Sequence, residues 1–177
     1  LPVITKVAAS GKQVLFVGTK KQAKDIVKAA AEKAGQAYVT ERWIGGMLTN
    51  VNTINAQIKK LKDLEKRMAS GDLEKRYNKL EVQRFQEEID LLNAKYGGIK
   101  DLNGRPGLVI VVDTLTDKNA IAEAKNLGVP VVGVVDTNAD PSAVDYAIPG
   151  NDDAIKGTEL LLDYFVAAVN EGKTKEA

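Results

Sequence analysis

Val14-Leu15-Phe16-Val17-Gly18-Thr19-Lys20-Lys21 decides how the chain is organised. Four consecutive apolar residues, with no alternation, suit a strand covered on both faces of a parallel sheet. Gly18 turns the chain, and Ala23, Ile26, Val27, Ala30 and Ala34 keep helical spacing from Lys20 until Gly35. Ala37 to Thr40 reads as a second strand, and Glu41 to Leu48 as a loop holding Arg42-Trp43 and Gly45-Gly46. The unit is β-α-β.

The same grammar returns downstream. Leu108 to Val112 is a second fully apolar run, a helix is expected from Asp117 to Leu127 before Gly128, and Val131 to Val135 gives another strand. Tyr146-Ala147-Ile148 is a short fifth strand, after which Asn151 or Asp152 could cap a last helix carrying Ile155, Leu160, Leu161, Phe165, Val166 and Val169. Lys173 to Ala177 reads as a frayed polar tail. About five strands alternating with helices imply an α/β fold with a parallel, doubly wound sheet.

Between the second and third strands the period changes. Ile54, Ile58, Leu61, Leu64 and Met68 form one helical seam, and Val82, Phe85, Ile89, Leu92 and Tyr96 form another, separated by Ser70-Gly71-Asp72 and closed by Gly97-Gly98. Two narrow seams joined by a turn predict an antiparallel helical hairpin over residues 53–96, inserted into a sheet domain made of 1–52 and 97–177. At 1.5 Å per residue, helices of roughly twenty residues would reach about 30 Å, so the hairpin is expected to project as an arm that contributes little to the core.

Composition narrows the chemistry. The 177 residues include no cysteine and no histidine, which removes disulfides, thiolate nucleophiles and the commonest general base and metal ligand. No apolar run is long enough to span a bilayer and no signal peptide opens the chain, which reads as soluble and cytoplasmic. The net charge of +1 conceals polarity: residues 1–100 carry 19 bases and 11 acids, a net +8, whereas 101–177 carry 6 bases and 13 acids, a net −7. Such a dipolar surface can neutralise phosphates on one side and face protein or solvent on the other.

Four groups of residues could carry function. Gly18-Thr19-Lys20-Lys21 lies where a strand meets a helix N-terminus, a place suited to phosphate, yet it lacks the glycines of a Walker loop or a dinucleotide fingerprint. Asp113, Asp136 and Asp140 follow strands and could hold magnesium at the carboxyl edge, although each also fits turn or capping chemistry. Arg42-Trp43 beside the glycine pair combines a cation, an aromatic plane and an approachable backbone, as RNA sites do, while Trp43 reads equally as a core plug. Lys59, Lys60, Lys62, Lys66 and Arg67, followed by Lys75, Arg76, Lys79 and Arg84, decorate the hairpin, where phosphate positioning competes with the ordinary role of a solvated helix face.

These motifs carry a resemblance. Val14-Leu15-Phe16-Val17-Gly18-Thr19-Lys20, Arg42-Trp43-Ile44-Gly45-Gly46-Met47-Leu48-Thr49-Asn50, Gly97-Gly98-Ile99-Lys100-Asp101, Val135-Asp136-Thr137-Asn138, Asp140-Pro141 and Ile148-Pro149-Gly150-Asn151-Asp152-Asp153-Ala154-Ile155 together resemble the bacterial form of ribosomal small-subunit protein two, in order and over nearly the whole chain. The resemblance implies a flavodoxin-like sheet with an inserted coiled-coil hairpin, no catalytic, metal or cofactor site and no small-molecule substrate. It implies contact with small-subunit rRNA, with the large mRNA-binding small-subunit protein one and with other small-subunit proteins. Carried over by position, Lys20, Lys21, Arg42, Trp43 and Asn50 become rRNA-contact candidates, and Lys59, Lys60, Lys62, Lys66, Arg67, Arg76, Lys79 and Arg84 are matched by region. Two departures stand out: members usually begin roughly sixty residues earlier with a segment holding a Gly-His pair, so the chain reads as a fragment, and the tryptophan common after Asn50 is Val51 here. A nucleotide- or magnesium-dependent α/β enzyme is the alternative.

Overall fold

The computed structural model describes residues 1–176. Five strands form one parallel sheet: β1 (Val14–Val17), β2 (Ala37–Val39), β3 (Leu108–Val111), β4 (Val131–Val135) and β5 (Tyr146–Pro149), in the order β2-β1-β3-β4-β5. The register pairs Val14 with Leu108 and Val17 with Val111 across β1 and β3, the point at which the order reverses. Every residue of β1, β3 and β4 is buried, which is why these stretches are apolar without alternation.

The strand period of two divides those side chains between two cores. Leu15, Val17, Val109, Val111 and Val131 enter one, and Val14, Phe16, Leu108, Ile110 and Val132 enter the other. The second core is closed by α1 (Pro2–Ala9), α2 (Lys24–Ala34) and α7 (Ile155–Glu176), through residues such as Ile4, Val27 and Phe165. The first is closed by α6 (Lys118–Asn126), through Ile121, and continues into the seam between α3 (Val51–Ala69) and α5 (Lys79–Tyr96), through Leu61 and Ile89. The result is a three-layer α/β/α arrangement consistent with a flavodoxin-like fold.

Several expectations change. Lys20 to Ala23 are turn, and α2 begins only at Lys24. The expected turn after Ala69 contains a short helix, α4 (Asp72–Arg76), whose Leu73 is fully buried. A reciprocal cap then starts α5: Asn78 Oδ1 accepts from the Glu81 N–H at 2.9 Å while Glu81 Oε2 accepts from the Asn78 N–H at 3.1 Å. The seam residues Ile54, Leu61, Leu64, Ile89, Leu92 and Tyr96 pack between α3 and α5 and belong to one continuous cluster with residues of β1 and β3.

Neither Asn151 nor Asp152 caps α7. Asn151 Oδ1 accepts from the Asp153 N–H in a local turn, Asp152 is engaged by Lys20, and the helix starts at Ile155. Nor do Lys173 to Glu176 fray: they continue α7, and Lys173 Nζ donates to the Ala34 carbonyl at the end of α2. The expected tail's last residue, Ala177, lies outside the described residues. Gly172 explains the close seat of α1 on α7, since a Cβ there would stand 2.4 Å from the Thr5 carbonyl oxygen.

Candidate nucleic-acid interface

The carboxyl ends of β1 and β3 form the crevice where sheets of this topology commonly bind ligands. Here the protein fills it. The Thr19 N–H donates to Asp117 Oδ2 at 3.2 Å and its hydroxyl donates to Oδ1 at 2.6 Å. Burial pushes the Asp117 carboxyl up from its usual range, opposed by those two bonds. A carboxylate therefore stands where the first strand-to-helix turn would meet a phosphate.

Lys20 is committed beside it. Its Nζ lies 3.4 Å from Asp113, 3.0 Å from Asp152 and 2.6 Å from Asp153, with 22% of the side chain exposed. Although burial opposes the charge, the bond to Asp153 and the other carboxylates raise the Lys20 pKa well above its usual value. Asp113 also accepts from the N–H groups of Leu115 and Thr116 and from the Thr116 hydroxyl; burial would raise its pKa, but these bonds and Lys20 hold it low. Lys21 is exposed and forms no ion pair within 4.0 Å among the described residues.

The expected trio Asp113, Asp136 and Asp140 does not converge. Asp140 accepts from Ser142 N–H and hydroxyl in a local turn, and Asp136 instead lies with Asp152 and Asp153, their carboxylate oxygens within 4.8 Å of one another. Those three are the acidic groups among the described residues that could hold a cation, with Lys20 already bound to two of them.

The loop between β2 and α3 is built around a residue that its own sequence does not contain. Glu123 of α6 accepts from the Trp43 indole N–H at 3.1 Å and the Gly46 N–H at 2.7 Å through Oε1. Through Oε2 it accepts from the Leu48 N–H at 3.0 Å, the Thr49 N–H at 3.4 Å and the Thr49 hydroxyl at 3.3 Å. Burial would raise the Glu123 pKa, but these donors together hold it below its usual value. Gly46 adopts φ +90°, and a Cβ there would strike Asn50, so the tight fold of the loop requires glycine.

Trp43 is 8% exposed, part of the core, and unavailable for base stacking while the loop is closed. Arg42, Gly45, Thr49 and Asn50 are exposed on the loop, and nothing lies within 4 Å of where a Gly45 Cβ would be. Asn50 occupies the position preceding α3, so the loop sets where that helix begins.

On α3 to α5 the cations separate into two groups. Lys60 pairs with Glu88, Lys62 with Asp101 at 3.6 Å, and Arg67 and Arg76 both with Asp72, at 3.1 and 2.8 Å. Lys59, Lys66, Lys75, Lys79, Arg84 and Lys95 are exposed and have no such partner among the described residues. Glu65, which accepts from Asn93 at 2.7 Å and Lys100 at 3.1 Å, ties α3 to α5 and to the segment after it. Four of the thirteen acids of the second half are turned inward, Asp113, Asp117, Glu123 and Asp152, each engaged by groups of the first half. Sequence spacing did not disclose Glu123, within α6, or Asp117, at the position preceding it, because only the helix's apolar positions were legible.

A family model of ribosomal protein S2 matches residues 1–172. The chain belongs to that family and is a small-subunit ribosomal protein, of a structural and non-enzymatic class.

Proposed function

We propose that this member of the ribosomal protein S2 family binds small-subunit rRNA by neutralising phosphates along α3 to α5 and at the β2–α3 loop, without catalysis or cofactor. The observation that carries the reading is the set of exposed, unpaired cations Lys59, Lys66, Lys79 and Arg84, on helices whose opposite side is buried in the core. Cations without internal partners retain their full charge for phosphate, and such contacts position a protein without reading base sequence. Residues 53–96 act as an antiparallel arm carried by the sheet unit of 1–52 and 97–177, and Arg42 and Asn50 extend the contact beside the open backbone at Gly45. Lys21 adds a further exposed cation near the crevice. Lys60, Lys62, Arg67 and Arg76 take part by releasing their present carboxylates, while Lys20 and Trp43 hold the loops in shape.

The particle is the cytoplasmic ribosome, and the remaining acids of the second half face other small-subunit proteins, including the large mRNA-binding small-subunit protein one. A nucleotide-dependent enzyme is less well supported, since the turn that would cradle phosphate has given its Thr19 N–H to Asp117 and its Lys20 to three carboxylates. Lysine-directed cross-linking of the chain to rRNA in reconstituted small subunits tests the proposal. RNA adducts at Lys59, Lys66 and Lys79 with none at Lys20 are expected; adducts confined to other surfaces would refute the assignment.

A further inference from the structure

The β2–α3 loop contains no regular element to satisfy its own backbone, and unpaired N–H groups that are shielded from water cost about 1–3 kcal/mol each. Its solution is concentrated on one atom pair. The N–H groups of Gly46, Leu48 and Thr49, the Thr49 hydroxyl and the Trp43 indole N–H all converge on the two oxygens of Glu123. Glu123 stands on α6 between residues Ile121 and Ala124, both buried in the core beneath β3, so the anchor is on a rigid element. The half-buried carboxylate is turned to the loop, its oxygens occupied by these donors, and its charge would repel a phosphate.

We infer that Glu123 is the positioning residue of the RNA interface: without touching RNA, it holds Arg42, Gly45, Thr49 and Asn50 in their binding arrangement and fixes the start of α3. The inference rests on the RNA-binding function proposed above. Preorganisation raises affinity by removing an ordering cost that would otherwise fall on the bound state. Its loss weakens binding while leaving the set of neutralised phosphates intact. That behaviour differs from loss of a phosphate contact, which flattens the dependence of affinity on salt.

Glu123→Gln is the discriminating variant, because an amide keeps the size but turns an NH₂ toward N–H donors. Wild type, Glu123→Gln and Arg42→Ala are compared by Trp43 emission, by amide hydrogen exchange and by binding to small subunits stripped of this protein across a salt series. For Glu123→Gln the emission moves to the red and the Gly46, Leu48 and Thr49 amides exchange faster, with β1 and β3 amides unchanged. Its affinity falls about tenfold with the wild-type salt slope. Arg42→Ala lowers the slope without moving the emission.

Wild-type affinity in a Glu123→Gln protein whose loop amides have lost protection would overturn the inference, as would wild-type emission and protection in that variant. Should Glu123→Gln fail to fold, Trp43→Phe keeps an aromatic ring and deletes one donor. It is expected to speed exchange at Gly46 and weaken binding by a few-fold, and no change in either would overturn the inference. Failure of the wild type to bind stripped subunits defeats the RNA-binding function instead, and the exchange data still show whether Glu123 holds the loop.

Discussion

Trp43 Nε1 meets Glu123 Oε1 at 3.1 Å across 80 residues of sequence. The chain has one tryptophan, so its emission reports directly on whether the β2–α3 loop is closed on α6.

That reporter makes the loop's pH response measurable. The donors around Glu123 hold its folded pKa below the ordinary value, although burial works against them. A depressed carboxylate contributes stability that is fully present above its unfolded pKa, about 4.3, and is lost as pH falls through the lower folded value. Trp43 emission should therefore be constant from neutral pH down to about 5, and move to the red only below the ordinary carboxylate range. A shift completed above pH 5 would show that another group controls the loop.

Asp117 has the opposite sign. Burial raises its pKa despite the bonds from Thr19, so its contribution is greatest below the unfolded value, about 3.9, and is lost as pH rises through the folded one. Asp117→Asn keeps an acceptor and removes the unfavourable charge. Thermal melts at pH 7 should place it at or slightly above wild type, whereas Asp117→Ala, which strands the Thr19 donors, should cost about 1–3 kcal/mol. Equal damage from both would mean that the charge itself is needed.

The seam of α3 and α5 is continuous with the core that contains β1 and β3. Leu61 is 0% exposed within the cluster that includes β1 and β3, whereas Leu80 of α5 is 60% exposed. Leu61→Ala should destabilise the whole chain by about 2–5 kcal/mol and Leu80→Ala by less than about 0.5 kcal/mol. A Leu61→Ala protein with wild-type melting would show that these helices fold apart from the sheet.

The strands were legible because a parallel sheet buried on both faces demands unbroken apolar runs, and Val14–Val17 and Leu108–Val111 are such runs. The helix seams were legible from their spacing, but not their destination: period alone cannot tell a seam that ends between two helices from one that runs on into the core of the sheet. Pro2–Ala9 was missed because its helix depends on seating against α7 at Gly172, a contact made across the length of the chain. The frayed tail was expected from polar composition, and the Lys173 bond to Ala34 supplies what composition cannot show.

The candidate site divided along the same line. Exposed cations such as Lys66 and Arg84 stand where sequence logic puts them, on the outward side of a helix. Lys20 looks like such a residue in sequence and Trp43 reads equally as a stacking plane or a core plug, yet they are engaged by Asp152, 132 residues away, and by Glu123. An acid on a helix or in a turn is ordinarily read as solvated, so the partners that decide these two roles, Glu123 in α6 and Asp152 before α7, emerge only once the sheet is assembled.

The most direct test of the central claim is the salt dependence of binding to small subunits stripped of this protein, measured by co-sedimentation for wild type and for a Lys59, Lys66, Lys79 and Arg84 to Glu variant. Wild type is expected to bind stoichiometrically and to weaken as salt rises, and the variant to show lower affinity and a shallower slope, by about 0.7–0.9 per lost phosphate contact. Binding indifferent to salt, or unchanged in the variant, would contradict a docking surface made of these unpaired cations.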